Sequence, residues 1–550
     1  MIAALAAVGV AALAGARSPA AFAPDVAERL RRLPRTPIDY DRSLLDERDT
    51  AVLKELIEAS RPVGDVFLRQ VSPANPDLRR RLTAASAHGE AGSGDALALF
   101  RIMAGPWDRL ERNAPFIGTT PKPAGAGFYP SDMTKEEFQA WIAAHPADKA
   151  AFEGLFTVIR RDGKSLVAVP YSRAFRSFLD PVAARLRSAA AKTANASLKT
   201  YLEKRADALL SDDYYASDLA WMDLDSDVEV TLGPYEVYED ALFNYKASFT
   251  AFVTVRDRDE SARLAVYAKH LPDMQRGLPI AEKYKETSRK FESPIRVVQE
   301  VYTAGDTRSG VQTAAFNLPN DERVRQAKGS KKVLLKNVIE AKYRVAGKPI
   351  AERVLVPDQL PAMSFDAFFN HTLFHELSHG IGPGIVETPD GRKVEGRILL
   401  QELYSTIEEC KADVVGMWTV LQAIDNKWLT AFDENAFAVT VTGLFFRSIR
   451  FGADEAHGQG TAVQWNWFRE KGAVVPAEDG RFRVDGTKFR EAVRSLAEEL
   501  LMIEATGDAG RARKLLAGYG RSTPEIDAVN ARLKDIPVDI APVYVAAGEK

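Results

Sequence analysis

Five consecutive residues, His375-Glu376-Leu377-Ser378-His379, have the types and spacing to hold a metal ion and to activate water beside it. On a helix, side chains four apart stack on one face, so His375 and His379 can aim a ring nitrogen at the same point. Glu376 projects from the adjacent face, close enough to reach a water at that point, and is the candidate general base. Two imidazoles, a further protein ligand and one water make a nucleophile at neutral pH. The chain has only 7 His in 550 residues, so the grouping does not follow from a histidine-rich composition.

The third ligand has to come from another element. The stretch Leu399 to Leu421 reads as a helix and carries Glu408-Glu409-Cys410-Lys411-Ala412-Asp413. Glu409 and Asp413 are four apart on one face. The natural division puts Glu409 on the metal and has Asp413 hold a ligand imidazole through its other N–H. Glu402, two turns earlier, is the competing ligand, and Glu408 is expected to support a ligand from outside or to be solvated. Taken alone, these carboxylates read as the polar face of an amphipathic helix. Beside two histidines that need an acidic partner, that reading loses. His371, one turn before His375, is either a further ligand or a histidine packed behind the site. Cys410 falls off the acidic face and reads as a small buried residue. Zinc, one per chain, suits His and carboxylate ligands; cobalt or manganese would fit the same set.

These residues need elements to position them. Ser364 is a plausible N-cap and Asp366 suits the first turn. Phe365, Phe369, Leu373 and Leu377 form an apolar stripe, and Gly380-Ile381-Gly382-Pro383-Gly384 must stop the helix just past His379. Residues 25 to 220 read as mostly helical, including Arg79 to Arg112 and Lys135 to Ile159. From Val228 the texture alternates as strands do, at 228–232, 251–255, 295–301 and 332–335. Helical texture resumes near Leu335, and the tail after Thr523 reads as extended. The fold class is therefore α+β, with a helical lobe carrying the metal and a second lobe holding a small β-barrel or sheet with its own helices.

Composition sets bounds. Apolar content of 46% and charged content of 27% are those of a globular protein, and a net charge of −3 gives no basic footprint for nucleic acid. One cysteine excludes internal disulfides and cysteine-rich metal modules. The uncharged run Ile2 to Ala16, followed by Ala14-Gly15-Ala16 and Ala21-Phe22-Ala23, resembles a signal peptide over residues 1–23 and is too short to span a bilayer. The expectation is an exported, periplasmic protein with no stable membrane span, or a cytoplasmic one if that segment is not a signal. Oligomeric state is not written in the sequence.

The pair HELSH and EECKAD resembles the dipeptidyl peptidase III family of zinc exopeptidases. Most members carry a six-residue motif; this chain has the five-residue form found in some bacterial members. Gly233-Pro234-Tyr235-Glu236-Val237-Tyr238 is similar to the family's Glu-x-Tyr segment. The resemblance implies that Glu236 binds the substrate's free amino group and that Tyr238 touches the scissile peptide. Phe316-Asn317-Leu318-Pro319-Asn320 is similar to the Asn-x-Pro-Asn segment, implying that Asn317 and Asn320 grip the peptide. Ala456-His457-Gly458-Gln459 resembles the His-x-Gln segment, in which His457 would stabilise the transition state. Thr461 stands where the family often has Arg.

The resemblance implies two lobes across a wide cleft, with the metal on one wall and Glu236, Tyr238, Asn317 and Asn320 on the other. The lobes are drawn as 24–260 with 295–345 for the substrate side and 261–294 with 346–520 for the zinc side, residues 521–550 returning to the substrate lobe. The function expected is release of dipeptides from the free N-terminus of short peptides. The alternatives are a zinc aminopeptidase or broader oligopeptidase and, in another class, a non-catalytic peptide-binding protein.

Overall fold

The computed structural model of the chain describes residues 21–285, 295–388, 390–452 and 456–549. The apolar run Ile2 to Ala16 lies outside these residues. Two large apolar cores organise the described chain. One gathers residues between Ile38 and Ala341, joined by Ile540 and Tyr544. The other gathers Leu264 to Ile280, Val297, Leu334 and Ile339 with side chains from Ile350 to Ile536.

The first core is a set of helices on a sheet. Helix α1 (Glu47–Val71) starts on Asp46, whose carboxylate accepts from the Asp49 N–H at 2.8 Å. It buries Val52, Leu56, Val63 and Val66 at helical spacing. Helices α2 (Arg176–Lys192) and α3 (Ala196–Ser211) complete that layer. The strands are β1 (Val228–Glu236), β2 (Ser248–Arg256), β3 (Ile295–Gly305), β4 (Ala315–Leu318) and β5 (Lys331–Leu335). They pair as a five-stranded sheet in the order β1-β2-β3-β5-β4, where the sequence suggested a small barrel or sheet. All neighbours are antiparallel except β3 and β5, which run parallel. Strands β1 and β2 are buried on both faces, so Glu229, Thr231, Thr250 and Thr254 go inside with their apolar neighbours.

The second core holds helices α4 (Phe365–Ser378), α5 (Tyr404–Asp425), α6 (Ala456–Glu470) and α7 (Gly486–Thr506). Ser364 caps α4 as expected, accepting from the Ala367 N–H at 3.3 Å. Helix α5 begins later than Leu399. A short helix, Gly396–Leu400, and a turn, Gln401–Leu403, precede it, and Gln401 at φ +52° breaks the helical path between them.

Two further expectations are corrected. The stretch Lys135 to Ile159 is not one helix: Lys135–Ala144 is helical, and Thr157–Asp162 then pairs with Ser165–Pro170. The two-residue loop Gly163-Lys164 makes that hairpin, with Gly163 at φ +60°. The tail is not wholly extended. Thr523 caps a helix, Pro524–Arg532, with Pro in its first turn, before Ala541–Tyr544 pairs in parallel with Arg35–Ile38. Among the described residues, no helix is long and apolar enough to cross a membrane.

Candidate active site

Helices α4 and α5 cross where Gly416 meets the ligand helix. A Cβ there would lie 3.0 Å from the His375 backbone nitrogen, so a larger residue would press the two helices apart by a few tenths of an ångström. Helix α6 comes in at Gly460, against Cys410 of α5; the buried Cys410 thiol donates to the Gly460 carbonyl at 3.4 Å. Close helices put ligand atoms together. The Nε2 atoms of His375 and His379 are 3.2 Å apart, on rings set at 89°. Glu409 Oε2 lies 3.4 Å from the first and 3.8 Å from the second.

These three residues can each offer one atom to a common ion, all within 4.8 Å of one another. A tetrahedral divalent ion with bonds of about 2.1 Å needs ligand atoms about 3.4 Å apart, and the observed separations bracket that value. Glu409 Oε2 is also buried, with the Nε2 atoms of His375, His379 and His457 gathered round it at 3.3 to 3.8 Å and none of them in good hydrogen-bond geometry. A buried carboxylate oxygen left in that condition is costly unless a cation meets it. The residues present therefore fit a metal ion.

The ligands are held from behind. Asp413 Oδ1 lies 2.8 Å from His375 Nδ1, and Gln464 of α6 donates to Asp413 Oδ2 at 3.0 Å. Glu408 Oε1 lies 2.8 Å from His379 Nδ1 and accepts from Lys411 Nζ at 2.9 Å. Burial alone would lower the His375 pKa, but Asp413 outweighs it and lifts the imidazole to about 10. Burial pushes the Asp413 carboxyl up, and His375 reverses this, holding it well below the carboxylate range. Glu408 is likewise held down, to about 2, with Lys411 and His379 overcoming burial.

The remaining acidic and imidazole candidates sort by position. His371 sits behind the ligands, with Nε2 3.9 Å from Asp413 Oδ1 and its ring 6.2 Å from Phe437. Glu402 is on the turn before α5, 3.3 Å from Arg513 at the surface, and takes no part in the cluster. His457, at the start of α6, brings Nε2 to 3.3 Å from Glu409 Oε2. Thr461 turns inward and donates to the His457 carbonyl at 2.7 Å. A cavity of about 260 Å³ opens beside the cluster, lined by His375, Glu376, His457, Arg447, Ala314 and Ala315, among others.

That cavity reaches the start of β4, an edge strand of the sheet. Asn317 is exposed on β4, and Asn320 lies just beyond its end. The Asn320 amide donates to the Tyr235 carbonyl at 3.1 Å and to Glu236 Oε1 at 3.3 Å. The register of β1 against β2 shifts between Pro234 and Glu236, at the end of the strand from which Glu236 meets Asn320. Burial raises the Glu236 carboxyl, and the Asn320 hydrogen bond offsets part of that. Tyr238 stands 79% exposed just past the strand. One strand thus runs from the cavity beside the cluster, which Ala315 lines, to the paired Glu236 and Asn320.

Sequence reasoning missed Lys332, Lys411 and Gln464. Lys332 Nζ lies 3.6 Å from Glu376 Oε2. Lys411 could have been found from its place three residues after Glu408, one helical turn away. A lysine inside the apolar run of β5 was a signal for Lys332. Gln464 had none, because its partner lies 51 residues away.

Comparison with known proteins gives the family. The model of Peptidase family M49 matches residues 131–395, which include the HELSH helix. The solved structure of DPP III from Caldithrix abyssi is 50% identical, covers 94% of this chain and 98% of its own, and superposes with a TM-score of 0.91. Dipeptidyl-peptidase III from Corallococcus sp. strain EGB is 41% identical, with a TM-score of 0.79 and coverage of 96% and 98%. Nudix hydrolase 3 of Arabidopsis thaliana is 37% identical over 94% of this chain and 74% of its own length. The chain belongs to peptidase family M49 and is a metallopeptidase with the two-lobed α+β fold of the DPP III structures.

Proposed function

We propose that the chain is a zinc-dependent exopeptidase that removes dipeptides from the free N-terminus of short peptides. His375, His379 and Glu409 would hold the zinc. Zinc in such a site supplies Lewis acidity and lowers the pKa of water toward neutrality. Glu376 takes the proton of the attacking water and returns it to the amine that leaves. Asp413 and Glu408 keep the two imidazoles oriented, each by its Nδ1–H.

The observation that carries the reading is the strand joining the cavity beside the cluster to Glu236 and Asn320. An edge strand presents unpaired backbone groups, and an extended peptide adds to it in register. The carboxylate of Glu236 suits an ammonium and so anchors the peptide's first residue. With that end fixed, the path along β4 to Ala315 sets how many residues pass before the cluster. Asn317 supplies an amide to the peptide backbone. By the family resemblance, His457, 3.3 Å from Glu409 Oε2, and Tyr238 would stabilise charge on the scissile carbonyl oxygen.

The test is to incubate zinc-loaded protein with free-amine and N-acetylated peptides of four to ten residues and to identify products by mass spectrometry. Dipeptides released from the free-amine set alone are expected. Single residues or internal fragments would replace dipeptide release by an aminopeptidase or broader oligopeptidase. Zinc binding with no cleavage would leave a peptide-binding protein. We also propose export to the periplasm, on the apolar run Ile2 to Ala16 and the small-residue sites that follow it. Fractionation of the producing cells tests this, and recovery with cytoplasmic markers would overturn it.

A further inference from the structure

Glu376 occupies the last turn of α4, where backbone carbonyls have no partner further along the helix. The carbonyls of His375, Leu377 and Ser378 accept from the N–H groups of His379, Gly380 and Ile381 at 3.3, 3.0 and 3.1 Å. The Glu376 carbonyl accepts instead from Lys332 Nζ, a side chain of the sheet. The same ammonium lies 3.6 Å from Glu376 Oε2. One cation therefore meets both the backbone and the carboxylate of the residue read as the base.

Lys332 is also placed by the sheet. It lies directly opposite Asn317 in the antiparallel pairing of β5 with the edge strand β4. Opposed residues of such a pair project from the same face, with Cβ atoms about 5 Å apart. The face that presents Asn317 is thus the face from which Lys332 reaches α4. Lys332 is largely buried, and burial lowers its pKa while Glu376 acts to restore it. A buried ammonium has few places to go, which makes it a stiff link between two lobes.

We propose that Lys332 is a positioning residue that ties the peptide-bearing strand to the Glu376 carboxylate, so that the base is aimed at the bond the strand presents. The proposal rests on the reading of Glu376 as general base. It differs from a mere helix cap. A cap would hold α4 together and leave the chemistry of the folded, metal-loaded protein unchanged. A positioning link sets the angle between base and bound peptide, and a misplacement of about 1 Å there costs up to about a hundredfold in rate.

The test compares zinc-loaded wild type, Lys332→Met and Lys332→Arg on one free-amine tetrapeptide, with kcat and KM expressed per bound zinc, and with crystal structures of each. Lys332→Met is expected to lower kcat per zinc by about tenfold to a hundredfold with KM within about twofold. Lys332→Arg should recover part of the loss, because it keeps the charge and a donor. An unchanged kcat per zinc overturns the proposal, even if melting temperature or zinc content falls. If Lys332→Met does not fold, Lys332→Gln, which keeps a donor without the charge, is judged by the same measure. If the wild type cleaves no peptide, the reading of Glu376 as base fails. The link is then judged by the crystals alone: a displaced Glu376 carboxylate in Lys332→Met sustains it, and an unmoved one overturns it.

Discussion

At the metal cluster His375 and His379 are each held from behind by a carboxylate that is itself held, Asp413 by Gln464 and Glu408 by Lys411. At the proposed peptide seat, the Glu236 side chain has one hydrogen-bond partner among the described residues, Asn320, and Tyr238 stands in solvent. The difference suits what each region is proposed to bind. An ion of fixed bond length tolerates little displacement, so its ligands have to be arranged before it arrives. A peptide brings its own backbone donors and acceptors, and it can complete an edge strand and order loose side chains as it docks. The cluster is therefore the rigid partner, and the seat is the part that adapts.

That contrast can be broken at several points. The largest effect is expected from Glu376→Gln, which keeps the shape but removes the base. Turnover should fall by about a thousandfold or more while zinc content, read by atomic absorption, stays at one per chain. Retained turnover would remove Glu376 from the base role. Next comes Glu236→Gln at the adaptable seat. Losing a charged hydrogen bond to the amine should cut kcat/KM on free-amine peptides by about a hundredfold and erase discrimination against N-acetyl peptides. Surviving discrimination would place the amine elsewhere.

Asp413→Asn probes the rigid region from outside the ligand set. Zinc affinity measured against a competing chelator should fall by about tenfold to a hundredfold. An equal loss from Glu236→Gln would end the distinction between the two regions.

The smallest effect is a pH dependence of the metal-free chain. His375 is raised from its ordinary value of 6.5 to about 10 by Asp413. A raised histidine adds stability that is full below about 6.5 and is lost as pH rises through about 10. The melting temperature of metal-free protein should therefore fall between about pH 7 and 10, and Asp413→Asn should flatten that slope. For the same reason zinc uptake near neutral pH should release a proton, seen by calorimetry in buffers of different ionisation heat. No proton release would mean that His375 is already neutral.

Much of the cluster was legible in the sequence because it is local. The positions 375, 376 and 379 are related by helical geometry alone, and so are 409 and 413. The Ser364 cap and the glycine stop bounded the first helix correctly. The segments of β1, β2, β3 and β5 were legible from alternation, but the edge strand β4 was not read as a strand, and the burial of both faces of β1 and β2 was hidden too, since it depends on which helices cover them. The helix Pro524–Arg532 was missed because the Pro and Val of the tail were weighed above the Thr-Pro start that caps it.

The sequence by itself determined the types of ligand and their spacing within each helix, because hydrogen bonds four residues apart set that spacing wherever the helix goes. Only the tertiary structure decided that Glu409 rather than Glu402 faces the histidines, since that depends on α4 and α5 meeting at Gly416. It alone placed Lys332 opposite Asn317 and against Glu376, and Gln464 behind Asp413. These pairs join residues 15 to 51 positions apart, and no local periodicity encodes a contact that the packing of separate strands and helices creates.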